Sequence, residues 1–283
     1  MMLWIIGAEG VLGSTLGELC KRNNICYRAT GSKEGDVTSL ESLLSAAKAI
    51  HPTHIVNCAA FTDVDQAEQF PQRAFAINEA GAGLVAKVAH KSGAKLVHIS
   101  TDYVFAGTQA VPYCEGDECS PVNVYGRSKW EGEKRVFEAM PSACVIRASW
   151  FFGKKGKNFI SSLLQRMREE EVISVVADQS SCLTYCWDLA DIVLKMLDAT
   201  GIFHFANSGG ASRFEIAQEI LTMVRKRGIA IRCEKIDPVL SSHFPSRAKR
   251  PAYSVLDTHK ISQYLGKPPR SWQEAFNEYL SHV

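Results

Sequence analysis

Met2-Leu-Trp-Ile-Ile-Gly7-Ala-Glu-Gly10-Val-Leu-Gly13 is the stretch from which the fold can be read. Its apolar residues 2–6 predict a short buried strand of the kind found in parallel sheets. Glycines at 7, 10 and 13 follow at once, and Leu12, Leu16 and Leu19 then recur at helical spacing. Strand, glycine turn and helix, in that order, is the context in which a glycine motif carries meaning. Glycines let the backbone turn tightly and approach a pyrophosphate, whose charge the free amides of the helix N-terminus favour. The same spacing also builds an ordinary strand-to-helix turn, so the rest of the chain has to decide.

Working outward, the alternation repeats. Apolar runs predict strands over 25–29, 55–60, 95–100 and 143–147, with helices over 40–50, over 74–92 and around Tyr125–Lys129. This order predicts an α/β fold with a doubly wound parallel sheet. After Trp150 the texture changes. A basic loop, Lys154-Lys-Gly-Lys157, leads into an amphipathic helix over 158–171 with Phe159, Leu163 and Met167 on one stripe. Strands over 172–177 and 202–206 and helices over 187–197, 213–227 and 271–280 follow, without a second glycine fingerprint. The predicted division is a cofactor-binding domain over 1–150 and a mainly substrate-binding part over 151–283. The second part is packed on the first and partly interleaved with it.

Composition narrows the function classes. The net charge of +2 makes no electrostatic case for nucleic acid, and Arg247-Ala-Lys-Arg250 reads as a solvated loop or a phosphate contact. No run approaches the roughly 18 apolar residues of a membrane span. Nine cysteines, odd in number and scattered in spacing, predict a reduced, cytoplasmic protein rather than a disulfide framework.

Several positions invite a ligand. A dinucleotide site that binds the ribose 2′-hydroxyl carries an acid at the end of the second strand. Here the run is Thr30-Gly-Ser-Lys-Glu34, in which Ser32 and Lys33 suit a 2′-phosphate and so NADPH. Glu34 could still serve NADH, and the run also reads as a polar turn. Asp36 suits an adenine contact or, with Thr38, a helix cap. Ala59 and Ala60 leave room for a ligand at the sheet edge. The acids Asp63, Asp65 and Glu68 read as a solvated helix start in preference to a metal site.

The chemistry concentrates in Ser100-Thr101-Asp102-Tyr103-Val104-Phe105, at the end of a predicted strand, and in Tyr125-Gly-Arg-Ser-Lys129. Residues four apart share a helix face. A phenol with a cation beside it and a hydroxyl nearby can protonate a developing alkoxide. Tyrosine titrates near ~10, and a neighbouring ammonium lowers that value. Trp150 reads equally as core or as ligand contact, and His98 and His204 as structural.

These stretches resemble the extended short-chain dehydrogenase/reductases and, within them, the dTDP-4-dehydrorhamnose reductase family. The resemblance runs over nearly the whole length, through residues 7–13, 56–68, 100–105, 120–129, 147–150, 158–159, 178–179 and 250–257. It implies a Rossmann-like sheet with a smaller α/β substrate-binding part, and reduction of a dTDP-sugar 4-keto group by NADPH, with NADH as the alternative donor. It implies Thr101, Tyr125 and Lys129 as the catalytic trio. Gly10, Val11 and Leu12 would line the pyrophosphate, with Asp36, Val37, Ala59, Ala60 and Thr62 along the cofactor. Lys129 would hold the nicotinamide ribose, Asn78 would support Lys129 through water, and Thr101, Asp102 and Trp150 would touch the sugar. A homodimer is the implied assembly. No metal is carried over, because Thr15 stands where magnesium-binding members carry an acid. One segment departs: Asp178-Gln-Ser-Ser-Cys-Leu-Thr184 replaces the glycine and proline of the usual pattern. That leaves two rivals: another nucleotide-sugar epimerase or reductase, and a non-catalytic subunit like the regulatory subunit of methionine adenosyltransferase. Dehydratases of the superfamily have Asp-Glu after the threonine; here it is Asp102-Tyr103.

Overall fold

The computed structural model describes residues 1–156 and 158–282. Lys157 of the basic loop therefore lies outside the described residues, as does Val283. The first half runs β1 (Leu3–Ile6), α1 (Val11–Arg22), β2 (Tyr27–Thr30), α2 (Leu40–Ile50), β3 (His54–Asn57), α3 (Val64–Gln69), α4 (Pro71–Phe75), α5 (Ala82–Ser92), β4 (Lys95–Thr101), α6 (Val124–Ala139) and β5 (Cys144–Ala148). The second runs β6 (Phe151–Phe152), α7 (Phe159–Glu169), β7 (Val172–Val176), β8 (Ser180–Ser181), β9 (Thr184–Tyr185), α8 (Cys186–Lys195), β10 (Gly201–Phe205), β11 (Ala211–Ser212), α9 (Arg213–Lys226), β12 (Lys235–Val239), α10 (His259–Leu265) and α11 (Trp272–Leu280).

Six parallel strands form the main sheet in the order β2-β1-β3-β4-β5-β10. The chain winds outward from β1 to β2, returns across β1, and continues in the other direction. That reversal leaves a crevice beyond the C-terminal ends of β1 and β3, where sheets of this kind bind ligands. Side chains of β1 alternate across the sheet. Leu3 and Ile5 pack with Leu16, Leu189 and Val193 of α1 and α8, while Trp4 and Ile6 pack with Leu43, Val85 and Val136 of α2, α5 and α6. A separate core joins α7, α9 and α11 through Leu163, Met167, Ile220 and Phe276. The sixth strand of the main sheet comes from beyond residue 150.

Two differences from the sequence reading bear on the site. The helix expected over 74–92 is interrupted by a wide π turn, Ala76–Gly81. Such turns are frequent at functional sites. Here the turn carries Asn78, and α6 presses against it: a Cβ on Gly132 would lie 2.0 Å from the Asn78 carbonyl oxygen. Secondly, Asp36 and Thr38 do not cap α2. Ser39 does, accepting from the Ser42 amide at 3.2 Å, while Asp36 accepts from the backbone and hydroxyl of Thr38.

Candidate active site

A cavity of about 730 Å³ opens at the C-terminal ends of β1, β3, β4 and β5 and is closed on its far side by α7 and α9. Its floor is the start of α1. Gly10 is the N-cap and brings no side chain to the helix end, so the first amides of α1 point to the cavity without a side-chain partner. Two of the three glycines around it leave no space for a side chain. Gly7 has φ +86° and a Cβ there would lie 2.6 Å from the Ala59 nitrogen, while a Cβ on Gly13 would lie 2.2 Å from the Gly7 oxygen. Uncapped amides at the end of a 12-residue helix, approachable through glycine, fit the pyrophosphate of a dinucleotide.

Thr101 ends β4. Its hydroxyl donates to Asp102 Oδ1 at 3.1 Å and accepts from the Tyr103 amide at 3.2 Å. Asn123 caps α6 by accepting from the Gly126 amide at 2.7 Å, which sets Tyr125 in the first turn of the helix. Gly126 lets that turn press on the Asp102–Val104 segment, since a Cβ would lie 2.1 Å from the Tyr103 oxygen. The Tyr103 and Tyr125 rings meet edge-on at 5.8 Å. Lys129 is buried one turn further on, and its Nζ donates to the Ile99 carbonyl at 2.6 Å and lies 3.4 Å from His98 Nε2. The structure thus brings Thr101, Asp102, Tyr125, Lys129 and Trp150 to one cavity with Gly10, Val11, Leu12, Ala60 and Thr62.

The electrostatics differ from the sequence expectation. Burial raises the Tyr125 phenol above its ordinary value, and only the Thr101 hydroxyl works against that. Lys129 does not lower it here, because its ammonium is drawn onto the Ile99 carbonyl. Burial pushes Lys129 itself down to about 8, against the pull of Glu133 and Cys58. His98 is structural but not remote: burial and the Lys129 charge keep it neutral, well below its usual value.

Asp102 is 2 % exposed, and its carboxylate also accepts from Ser254 Oγ at 2.5 Å and Ser181 Oγ at 3.2 Å. Burial outweighs these bonds and lifts it to about 6. The folded chain therefore holds a proton between pH ~3.8 and ~6 that the unfolded chain has released, so this group's contribution to stability falls as pH rises through that window. Asp102→Asn is expected to gain about 1–3 kcal/mol relative to the parent between pH 4 and pH 7.5 in urea unfolding. A pH-independent difference would remove the argument for a protonatable Asp102.

Other predicted residues lie elsewhere. Ser32 and Lys33 are exposed in the turn after β2, outside the cavity. Val37 is buried under α2 and α5, so only its backbone is free to meet a ligand. Ala59 gives its amide to Asn57 Oδ1 at 3.1 Å. Asn78 bonds both backbone groups of Phe61 and donates to Ser128 Oγ at 2.9 Å, so its side chain pins α6 to the segment after β3. The acidic cluster is local structure. Asp63 caps α3, and Glu68 accepts from the Val124 amide. Asp65 overcomes its burial through the Arg250 guanidinium, the Ala248 amide and the Ser246 hydroxyl, which hold its carboxyl far below the usual range. Among the described residues no group of three metal-binding side chains comes together.

Arg213 of α9 escaped the sequence reading, although a signal existed. A cation at the first position of a helix opposes the helix dipole and needs another reason to be there. It lines the cavity, with its guanidinium 4.0 Å from the Trp150 ring centre and 4.9 Å from that of Phe159. Trp150 adopts φ +34°, a conformation rare for a bulky residue, and its buried indole nitrogen has no partner among the described residues. A larger opening of about 920 Å³ between α1, α8 and residues 267–278 contains none of the predicted residues. Its Arg270 is paired with Asp188 and Glu278.

The family model described as the RmlD substrate binding domain matches residues 1–283. The dTDP-4-dehydrorhamnose reductase of Aggregatibacter actinomycetemcomitans is 33% identical over 290 residues, which cover 99% of each chain. The chain belongs to the dTDP-4-dehydrorhamnose reductase family. The reductase of Mycolicibacterium smegmatis is 36% identical, over 99% of this chain and 85% of its own. In solved structures the family likeness is as complete. A dTDP-4-dehydrorhamnose reductase from Bacillus anthracis in complex with NADP superposes with a TM-score of 0.93 at 34% identity, covering 100% of this chain and 99% of that one. A Thermus thermophilus UDP-glucose 4-epimerase complexed with NAD, 18% identical with a TM-score of 0.83, shares the fold.

Proposed function

We propose that this chain reduces the 4-keto group of dTDP-4-dehydro-L-rhamnose to give dTDP-L-rhamnose, with NADPH as the preferred donor and NADH as the alternative. The observation that carries the reading is the meeting of Thr101, Tyr125 and Lys129 with the uncapped amides of α1 in one cavity. Full-length similarity to named reductases, and to an NADP-bound one in structure, supports it.

Bound NADPH supplies the hydride that reduces the carbonyl carbon. The chain's own residues do the rest. The α1 amides, with Gly10, Val11 and Leu12, hold the pyrophosphate. Thr101 turns the hydroxyl hydrogen that it otherwise gives to Asp102 onto the substrate oxygen, which fixes the carbonyl and favours charge developing on it. Tyr125 gives its proton to that oxygen, and the high affinity of its phenol for a proton keeps it loaded at neutral pH. Lys129 takes the ribose hydroxyls and, once drawn from the Ile99 carbonyl, favours the phenolate that the transfer leaves behind. Asp102, held by Ser181 and Ser254, sets the position of the Thr101 hydroxyl.

The same proposal gives cofactor binding mainly to residues 1–150 and sugar-nucleotide binding mainly to residues 151–283. It includes a homodimer and a cytoplasmic setting. All nine cysteines are free, which suits a reducing compartment. No described helix is long and apolar enough to cross a membrane.

The test is an absorbance assay in which purified protein, dTDP-4-dehydro-L-rhamnose and NADPH or NADH are combined. Loss of reduced cofactor together with formation of dTDP-L-rhamnose is the expected result. NADPH binding without turnover of either cofactor would favour the regulatory-subunit reading.

A further inference from the structure

We infer that Arg213 is a specificity residue that takes the diphosphate of the sugar nucleotide, a role that rests on the substrate class proposed above. Its guanidinium carbon stands over two aromatic rings, 4.0 Å from the centre of Trp150 and 4.9 Å from that of Phe159, which hold it in place. It forms no ion pair among the described residues. Asp102, which lines the same cavity, and Glu215, on the same helix, are both committed. Asp102 accepts from Thr101, Ser181 and Ser254, and burial leaves it partly protonated near neutral pH. Glu215, two residues on, closes the capping box of α9 with Ser212 at 2.8 Å.

An unpaired guanidinium in a partly closed cavity is costly unless an anion comes to it. Burial already presses its charge, and only the Tyr103 phenol and Asp102 act in its favour. The cofactor's pyrophosphate is assigned its own place, at the α1 amides on the cavity floor. Arg213 instead belongs to the wall made by Trp150, Phe159 and α9, the part assigned to the sugar nucleotide. A sugar nucleotide whose C4 carbonyl meets Thr101 presents its anomeric diphosphate across the ring, away from the reacting oxygen. Arginine suits that group because its planar fork makes paired hydrogen bonds to phosphate oxygens. The orphaned indole nitrogen of Trp150, beside it, is a further donor for the same ligand.

Affinities for dTDP, thymidine and NADPH are to be measured by calorimetry for the parent protein, Arg213→Met and Arg213→Lys. Arg213→Met is expected to weaken dTDP by about 10–100-fold, to leave thymidine within about twofold, and so to shrink the preference for dTDP over thymidine. Arg213→Lys keeps the charge without the fork and is expected to lose about 3–10-fold. NADPH affinity, unchanged within about twofold in both variants, shows that the cofactor site is folded. If the parent binds dTDP and Arg213→Met binds it equally well, the assignment of Arg213 falls while the proposed function stands. Loss of NADPH affinity in step with dTDP would also overturn it, by making the effect general. A parent protein that binds NADPH but not dTDP would remove both this inference and the substrate class beneath it.

Discussion

Tyr125→Phe is expected to lower turnover by about 10²–10⁴-fold and to leave NADPH affinity within about twofold. Removing the hydroxyl takes away the proton that the carbonyl oxygen needs but leaves the ring, which meets Tyr103 edge-on at 5.8 Å. The α1 amides are untouched, so the cofactor should still bind. The structure adds a reason for the size of the effect. Burial holds the Tyr125 proton tightly, and Lys129 is occupied with the Ile99 carbonyl. No other group of the trio replaces that proton: the Thr101 hydroxyl is a weaker acid and serves the carbonyl oxygen only as a hydrogen-bond donor, and the Lys129 ammonium lies on the Ile99 carbonyl. Steady-state kinetics together with a fluorescence titration of NADPH check both halves. A variant that retains more than about a tenth of the parent turnover would take Tyr125 out of its role.

Glu133→Ala is expected to cost about 3–5 kcal/mol of stability, the largest loss from any single side chain considered. Glu133 and Arg147 are each 3% exposed and meet at 2.7 Å. Arg147 also reaches Glu133 through Nε and stacks 5.2 Å from the Phe105 ring centre. Removing the acid leaves a buried, unpaired guanidinium. The double variant Glu133→Leu/Arg147→Met removes both charges and is expected to recover most of the loss, in urea unfolding of each protein. Equal instability of the single and double variants would mean that packing, and not the unpaired charge, sets the cost. The pair also reaches the site. Ser100 Oγ donates to Glu133 Oε1 at 2.5 Å, so one carboxylate joins α6, which carries Tyr125, to β4 just before Thr101 and to β5. Glu133→Ala should therefore slow turnover as well as destabilise the fold.

Much of this architecture was legible because periodicity reports burial. The strands at the centre of the sheet are short apolar runs, and Gly7, Gly10 and Gly13 mark a turn that no larger residue fits at two of its three positions. Thr101, Tyr125 and Lys129 were legible for a related reason: one sits at a strand end and the other two share a helix face. What escaped depends on partners distant in sequence. Ser181 and Ser254 meet Asp102 from 79 and 152 residues away. Asn78 has the polarity of a site residue, yet its bonds are taken by Phe61 and Ser128. The expected Lys129–Tyr125 coupling is not made in this structure, because i, i+4 spacing says which face a lysine starts from and not where a long flexible stem ends. Ser181, in the segment that departs from the family pattern, acquires a definite place as a donor to Asp102.

The central claim is direct hydride delivery to the sugar carbonyl beside Thr101, Tyr125 and Lys129, and an isotope experiment tests it most directly. The protein would be incubated with dTDP-4-dehydro-L-rhamnose and NADPH carrying deuterium on one or the other face of the nicotinamide C4. The account predicts that one of the two labelled cofactors places a single deuterium at sugar C4 of dTDP-L-rhamnose, and that Tyr125→Phe places almost none. Deuterium at any other sugar carbon, or NADPH that binds and is never consumed, would contradict it.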